Sequence, residues 1–112
     1  MLRARYNLWI EKDGEVVISY WRARLLRAID RTGSITAAAA EMNVPYRRAW
    51  ERLHEMESSL EYKLLETEVG GSSGGGAHLT PAGRALLEHF EAFAEGFDEQ
   101  VEARFTQYFP HE

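Results

Sequence analysis

The sequence has no cysteine, only three prolines, and no apolar run that approaches a bilayer-spanning length. Without thiols, neither a disulfide framework nor a thiolate-held metal can form. The N-terminus, MLRARYNLWIEKDG, lacks the apolar core of a signal peptide. These absences lead to the expectation of a cytoplasmic chain with no membrane segment. Enzyme chemistry is also poorly provided for. The four histidines (His54, His78, His89 and His111) show no paired spacing, and no Ser, Asp or Glu stands in a nucleophile elbow. His89 with Glu88 and Glu91 comes nearest to a metal cluster, and a solvated charged face is the commoner meaning of that pattern. No catalytic residue, cofactor or metal is expected. Positive charge is scarce too: 13 Lys and Arg stand against 18 Asp and Glu, a net charge of −5. Phosphate contacts need cations, so this total speaks against nucleic acid. Its distribution points the other way. From Glu88 onward seven acidic residues face one basic, Arg104, whereas residues 1–87 hold twelve basic and eleven acidic groups. Local charge governs docking more than the total does.

What is present is organised around Thr36 to Leu60, TAAAAEMNVPYRRAWERLHEMESSL. A short alanine-rich helix ends at Asn43, Val44-Pro45 make a turn, and a second helix follows. Ala49, Leu53, Met56 and Leu60 fall at i, i+4, i+7 and i+11, one apolar stripe. The opposite arc carries Arg47, Trp50, Glu51 and His54, with Arg48 on its flank. Small side chains let two helices cross closely, and the second helix then offers its N-terminal end to a major groove. This is the pattern of a helix-turn-helix. Helix pairs without any nucleic-acid role also exist, so the surrounding chain has to supply the context.

Before the motif, RYNLWIE alternates Tyr6, Leu8 and Ile10 against Arg5, Asn7, Trp9 and Glu11, the period of a half-buried strand. Asp13-Gly14 is a hairpin turn signal, and Val16-Val17-Ile18 forms the return strand. Trp9 reads as an aromatic capping a helix. Ser19 caps a helix to about Arg31, with Trp21, Leu25, Leu26, Ala28 and Ile29 facing inward. Its arginines, Arg22, Arg24, Arg27 and Arg31, read mainly as a solvated face. Thr32-Gly33 stops it, and Ser34 or Thr36 caps the next.

After the motif, residues 62–69 read as a strand, a run holding five of the nine glycines follows (70–76), and 77–80 returns as a second strand. This layout suggests a wing, in which residues lacking Cβ let backbone N–H groups approach a phosphate. The loop lacks GxxxxGK[ST], so it is no nucleotide P-loop; a flexible linker is the competing meaning of its composition. Thr80-Pro81 opens a long helix to about Tyr108, roughly 40 Å at 1.5 Å per residue. Leu86, Phe90, Phe93, Phe97, Val101 and Tyr108 form a stripe along it that nothing else in the chain can cover. A second copy packed across a two-fold axis is the simplest cover.

The blocks GSITAAAAEMNVPYRRAWERLHEMES and LLETEVGGSSGGGAHLTPAG resemble the N-terminal DNA-binding domain of the molybdate-responsive ModE regulators. That domain is a winged helix-turn-helix related to the LysR-type regulators, with a long dimerisation helix. The resemblance implies a mainly α fold with a small β component, in one domain over 1–112. Residues 1–79 would form the winged helix-turn-helix with its N-terminal hairpin, and 80–109 the dimerisation helix. Carried over position by position, DNA contact falls on Thr36, Tyr46, Arg47 and Arg48, and on the wing at Ser72, Ser73 and Gly74, Gly75 and Gly76. Pro45, Trp50 and Glu51 complete the presented face. The implied function is a homodimeric transcription regulator on a palindromic double-stranded operator. A full-length ModE continues into molybdate-binding β-barrels that this chain does not contain. Its resemblance therefore assigns no residue to oxyanion sensing, and any effector or partner protein is left unidentified. The alternative is a protein-interaction module that uses the winged fold and the aromatic helix without DNA.

Overall fold

The computed structural model describes residues 1–68 and 76–110. Two strands, β1 (Trp9–Lys12) and β2 (Glu15–Ser19), open the chain as an antiparallel hairpin. Asp13 and Gly14 turn it, both at positive φ (53° and 83°), as the Asp-Gly signal predicts. The half-buried alternation expected over residues 5–11 is not realised. All four β1 residues are exposed, Trp9 and Ile10 among them. A register shift between Ile10 and Glu11 explains where the burial went. Glu11 pairs with Val16 and Ile10 with Ile18, so Val17 is the extra residue of a bulge. The bulge breaks the two-residue alternation and lets the adjacent Val17 and Ile18 both face the core. Trp9, expected to cap a helix, is exposed, and its indole Nε1–H donates to Glu11 at 2.7 Å.

Helix α1 (Tyr20–Thr32) is capped by Ser19, whose Oγ accepts from the Arg22 N–H, and ends at Gly33. It buries Ala23, Leu25, Leu26, Ala28 and Ile29; Trp21, also expected inside, is half-buried. Helix α2 (Ile35–Glu41) starts from Ser34, which caps it in preference to Thr36. Helix α3 (Tyr46–Leu60) follows Pro45. Between them the Val44 N–H bonds back to the Ala39 carbonyl at 3.0 Å. Ala38, Ala39 and Ala49 are all but fully buried, so α2 and α3 cross at the distance that methyl side chains permit.

Strands β3 (Leu65–Glu68) and β4 (Gly76–Leu79) pair antiparallel, with Leu65 opposite Leu79. β4 leans on the α1–α2 turn through the Ala77 N–H on the Gly33 carbonyl at 2.9 Å. Helix α4 (Pro81–Ala94) then begins at a crowded joint. Thr80 Oγ1 donates to the Lys63 carbonyl at 2.7 Å and accepts from the Gly83 N–H at 3.0 Å. The Thr80 N–H meets the Leu64 carbonyl at 2.9 Å. At Gly83 an added Cβ would lie 2.3 Å from that same Leu64 oxygen, so only glycine lets α4 approach so closely.

The C-terminal helical arm is present but is not one continuous rod. It breaks at Glu95–Gly96, and α5 (Phe97–Tyr108) starts in a new direction. Gly96 takes φ 85°, a left-handed conformation that glycine adopts without strain and that interrupts the helical ladder. Phe90, expected on an uncovered stripe, is instead buried against Tyr20, with ring centroids 5.7 Å apart. Leu87 joins it in the core and Leu86 is half-buried. The uncovered face begins at Phe93 and continues through the half-buried Phe97, Val101 and Phe105 to Tyr108 and Phe109. No residue of α5 is fully buried; the hydroxyl of Tyr6 donates to its Asp98 at 2.5 Å, and residues 1–5 line a cavity with Glu102, Phe105 and Thr106. The molecule is accordingly long, 57 × 30 × 21 Å. Its radius of gyration of 16.6 Å exceeds the roughly 13 Å of a compact chain this size.

The joints of α4 can be tested in two ways. Gly83→Ala is expected to lower stability by about 1–3 kcal/mol, the usual cost of overpacking, measured as a fall in thermal midpoint. Asp30 accepts from Arg84 at 2.6 Å and from Arg27 at 3.1 Å, tying α1 to α4. The Arg84 bonds hold the Asp30 carboxyl below the usual aspartate range. A carboxyl depressed in the folded state stabilises above its unfolded value, near pH 4, and loses that contribution as pH falls through the folded value. Asp30→Asn is therefore expected to melt lower at neutral pH and to show a shallower decline on acidification below about pH 4. Parallel acid limbs in the two proteins would contradict this.

Candidate nucleic-acid interface

Helix α3 has two unlike faces because its apolar residues recur at helical spacing. Ala49, Leu53 and Met56 are fully buried, which forces positions 47, 50, 51 and 54 outward. The outward side carries large groups: Tyr46 is 49% exposed and Trp50 43%. Arg48 is exposed, and the Arg47 side chain is 89% exposed, with only a loose contact to Glu51 at 3.7 Å. Pro45, exposed, starts the helix without a side-chain cap, so the first-turn N–H groups lack one. Pro45, Tyr46, Arg47, Arg48, Trp50 and Glu51 thus share one open surface. Thr36 is exposed on α2 beside it.

The third arginine of α3 is differently employed. Arg52 binds Glu55 at 2.5 Å, and Glu55 also accepts from Arg22 at 3.1 Å. Arg22 reaches the Val16 carbonyl as well, at 2.9 Å, and burial pushes its guanidinium pKa down. Arg22 therefore joins β2, α1 and α3. On α1, Arg27 is engaged by Asp30 and Glu91, and Arg31 by Glu41. These are structural ion pairs, so the cations left outward on the motif are Arg47 and Arg48.

A groove of about 460 Å³ separates α3 from the β3–β4 hairpin. Thr36, Tyr46, Trp50, Lys63 and Gly76 line it, and so does His54. Its far wall is fixed from α3: Glu57 accepts the N–H groups of Leu64 at 2.8 Å and Leu65 at 3.2 Å, anchoring the entry to β3. Glu66 on β3 faces His78 on β4 at 3.1 Å. Of the expected wing contacts, Gly76 is the first residue of β4, paired with Glu68, while Ser72, Ser73, Gly74 and Gly75 lie outside the described residues. His54 was placed on the outward arc by the sequence but given no DNA contact, and Lys63 was not singled out. The available signal was spacing, since Tyr46, Trp50 and His54 follow one another at i, i+4 and i+8.

Residues 22–84 match the bacterial regulatory helix-turn-helix protein family of lysR type. The chain belongs to that family. Within it, the lysR-type segment runs from α1 into the first turn of α4, which includes the helix pair, the groove and the Thr80–Gly83 joint. The chain is similar to the molybdenum-pterin-binding protein MopB of Rhodobacter capsulatus, 44% identical over 75 residues, 67% of this chain and 28% of that protein. It is also similar to the DNA-binding transcriptional dual regulator ModE of Escherichia coli K12, 36% identical over 74 residues, 66% of this chain and 28% of that one. The chain thus spans under a third of the length of these curated relatives. Among solved structures, the DNA-binding domain of CbnR in complex with DNA superposes with a TM-score of 0.59 at 24% identity, over 78% of this chain and 99% of that one. Full-length CbnR with its target DNA gives 0.63 at 22% identity, over 80% and 29%. At such identities these two establish the winged helix-turn-helix fold alone.

Proposed function

We propose that this lysR-family chain binds double-stranded DNA as a homodimer and acts in the regulation of transcription. The observation that carries the reading is the division of α3. Its inner stripe is sealed in the core, while Tyr46, Arg47, Arg48 and Trp50 stand open at its N-terminal end. A recognition helix reads bases from that end. Arginine is the commonest reader of guanine, through two parallel N–H bonds to O6 and N7, and the neighbouring arginine then serves a phosphate. The β3–β4 hairpin lies across the groove from α3, where a wing would follow the backbone of the same site. The acidic arm of α4 and α5 would face away from the duplex. The relatives named transcriptional regulators support the same reading.

Replacing Arg47 or Arg48 by Ala is expected to weaken binding to a duplex selected by the native chain by about 1–3 kcal/mol. Affinities from fluorescence anisotropy at fixed salt, with thermal melts as a folding control, test this. Unchanged affinity in both variants would remove α3 as the reader.

The second chain would cover the aromatic face of the arm. Phe93 is 52% exposed and no residue of α5 is fully buried in its own chain, which is costly in water and ordinary at a two-fold contact. Phe93→Glu combined with Phe97→Glu is expected to convert dimers to monomers in sedimentation equilibrium while the winged domain still folds. A dimeric mass in that double variant would sink the assignment. Dimers that bind no duplex at any salt would favour the interaction-module alternative.

A further inference from the structure

Along the outer face of α3, Tyr46, Trp50 and His54 form a row at i, i+4 and i+8 that rises about 6 Å per step. All three line the groove toward the β3–β4 hairpin. The last two are locked together. The His54 ring stacks on Trp50 with centroids 3.6 Å apart and planes at 23°. Its Nδ1 lies 2.8 Å from the Trp50 carbonyl oxygen. A carbonyl only accepts, so Nδ1 must carry the hydrogen, and the tautomer is fixed. Nε2 is then the free nitrogen, and among the described residues it makes no hydrogen bond.

The charged groups around this imidazole are largely committed elsewhere. On α3, Glu51 contacts Arg47, Glu55 holds Arg22 and Arg52, and Glu57 caps the Leu64 and Leu65 N–H groups. Glu15 at the start of β2, Lys63 before β3 and Glu68 at the end of β3 complete the surroundings. An exposed nitrogen with a fixed tautomer, standing between the reading helix and the hairpin, suits the strand of phosphates that must pass between them.

We propose that His54 is a DNA-contacting residue of this interface, held by Trp50 so that Nε2 meets the phosphate backbone between α3 and the β3–β4 hairpin and takes up a proton on binding. The inference rests on the DNA-binding reading and deepens it. A neutral Nε2 has only a lone pair and would face phosphate oxygens without a hydrogen to share; protonated, it donates a charge-assisted bond. Because the complex then holds one more proton than its parts, affinity rises as pH falls through the range in which imidazoles titrate.

The test uses the full chain and a duplex enriched by it from a random-sequence library. Dissociation constants are measured at pH 6 and pH 8 for the native protein, His54→Gln and His54→Lys. The native protein is expected to gain about tenfold on going to pH 6 beyond whatever His54→Gln gains, the worth of one charge-assisted contact. His54→Lys, a permanent cation, should bind at both pH values about as the native protein does at pH 6. Comparison with His54→Gln cancels whatever the other histidines contribute alike in all three proteins. The same pH dependence in the native and Gln proteins overturns the proposal, as does a loss in His54→Gln that is equal at both pH values. Failure of the native chain to enrich any duplex would instead overturn the DNA-binding reading, and this contact with it.

Discussion

The fold turns on the burial of one narrow stripe. Ala49, Leu53 and Met56 are each fully enclosed, and α3 can rotate about its axis only by pulling them out of the core. Removing even one such side chain from its pocket costs kilocalories, so the helix is held in a single rotational setting. That setting decides what the surface displays. Tyr46, Arg47 and Trp50 point outward because the opposite side is occupied, and Ala38 and Ala39 of α2 hold the crossing close enough for both helices to share the core. The presented face is thus a by-product of packing.

A second constraint couples the hairpin to the rest. Glu57 of α3 holds the N–H groups of Leu64 and Leu65, and Leu64 in turn receives the Thr80 N–H and lies against Gly83. Recognition helix, hairpin and arm therefore meet within a few residues. A shift in any one of them strains the carboxylate cap or closes the gap at Gly83. The distance across the groove between α3 and β3 is fixed by this joint, with the Ala77–Gly33 backbone bond as its second support.

Charge is partitioned along the molecule in the same way. Most α1 arginines are drawn into pairs with Asp30, Glu41, Glu55 and Glu91, which join elements and leave little free cation on that side. Arg47 and Arg48 are spared, and the excess of acid accumulates on α4 and α5. A net negative chain can in this way offer a locally cationic edge to an anionic partner while its other end repels it.

Much of this was legible in the residues. The 3.6-residue period, the Ser19 and Thr80 caps, the Asp13-Gly14 turn and the alanine crossing are local signals, and each acts within one or two turns of chain. They located the helix pair, both hairpins and the outward face of α3. What the chain order could not show were the effects of partners distant in sequence. The bulge that turns Val17 and Ile18 both inward depends on the register with β1, and Phe90 is taken from the arm's stripe by Tyr20, seventy residues earlier. The break at Gly96 is a local possibility for any glycine in a helix, and it is realised where Tyr6 meets Asp98 across ninety-two residues. Arg22 is drawn to Glu55 across thirty-three residues and Arg27 to Glu91 across sixty-four, pairings that no local signal announces. Sequence by itself determined where the motif helices, their caps and the hairpin turns fall and which face α3 presents, because periodicity and capping are short-ranged. Only the tertiary structure decided which charges stay free, which aromatic rings stay uncovered and where the arm bends, because those outcomes belong to contacts that exist once the chain has closed on itself.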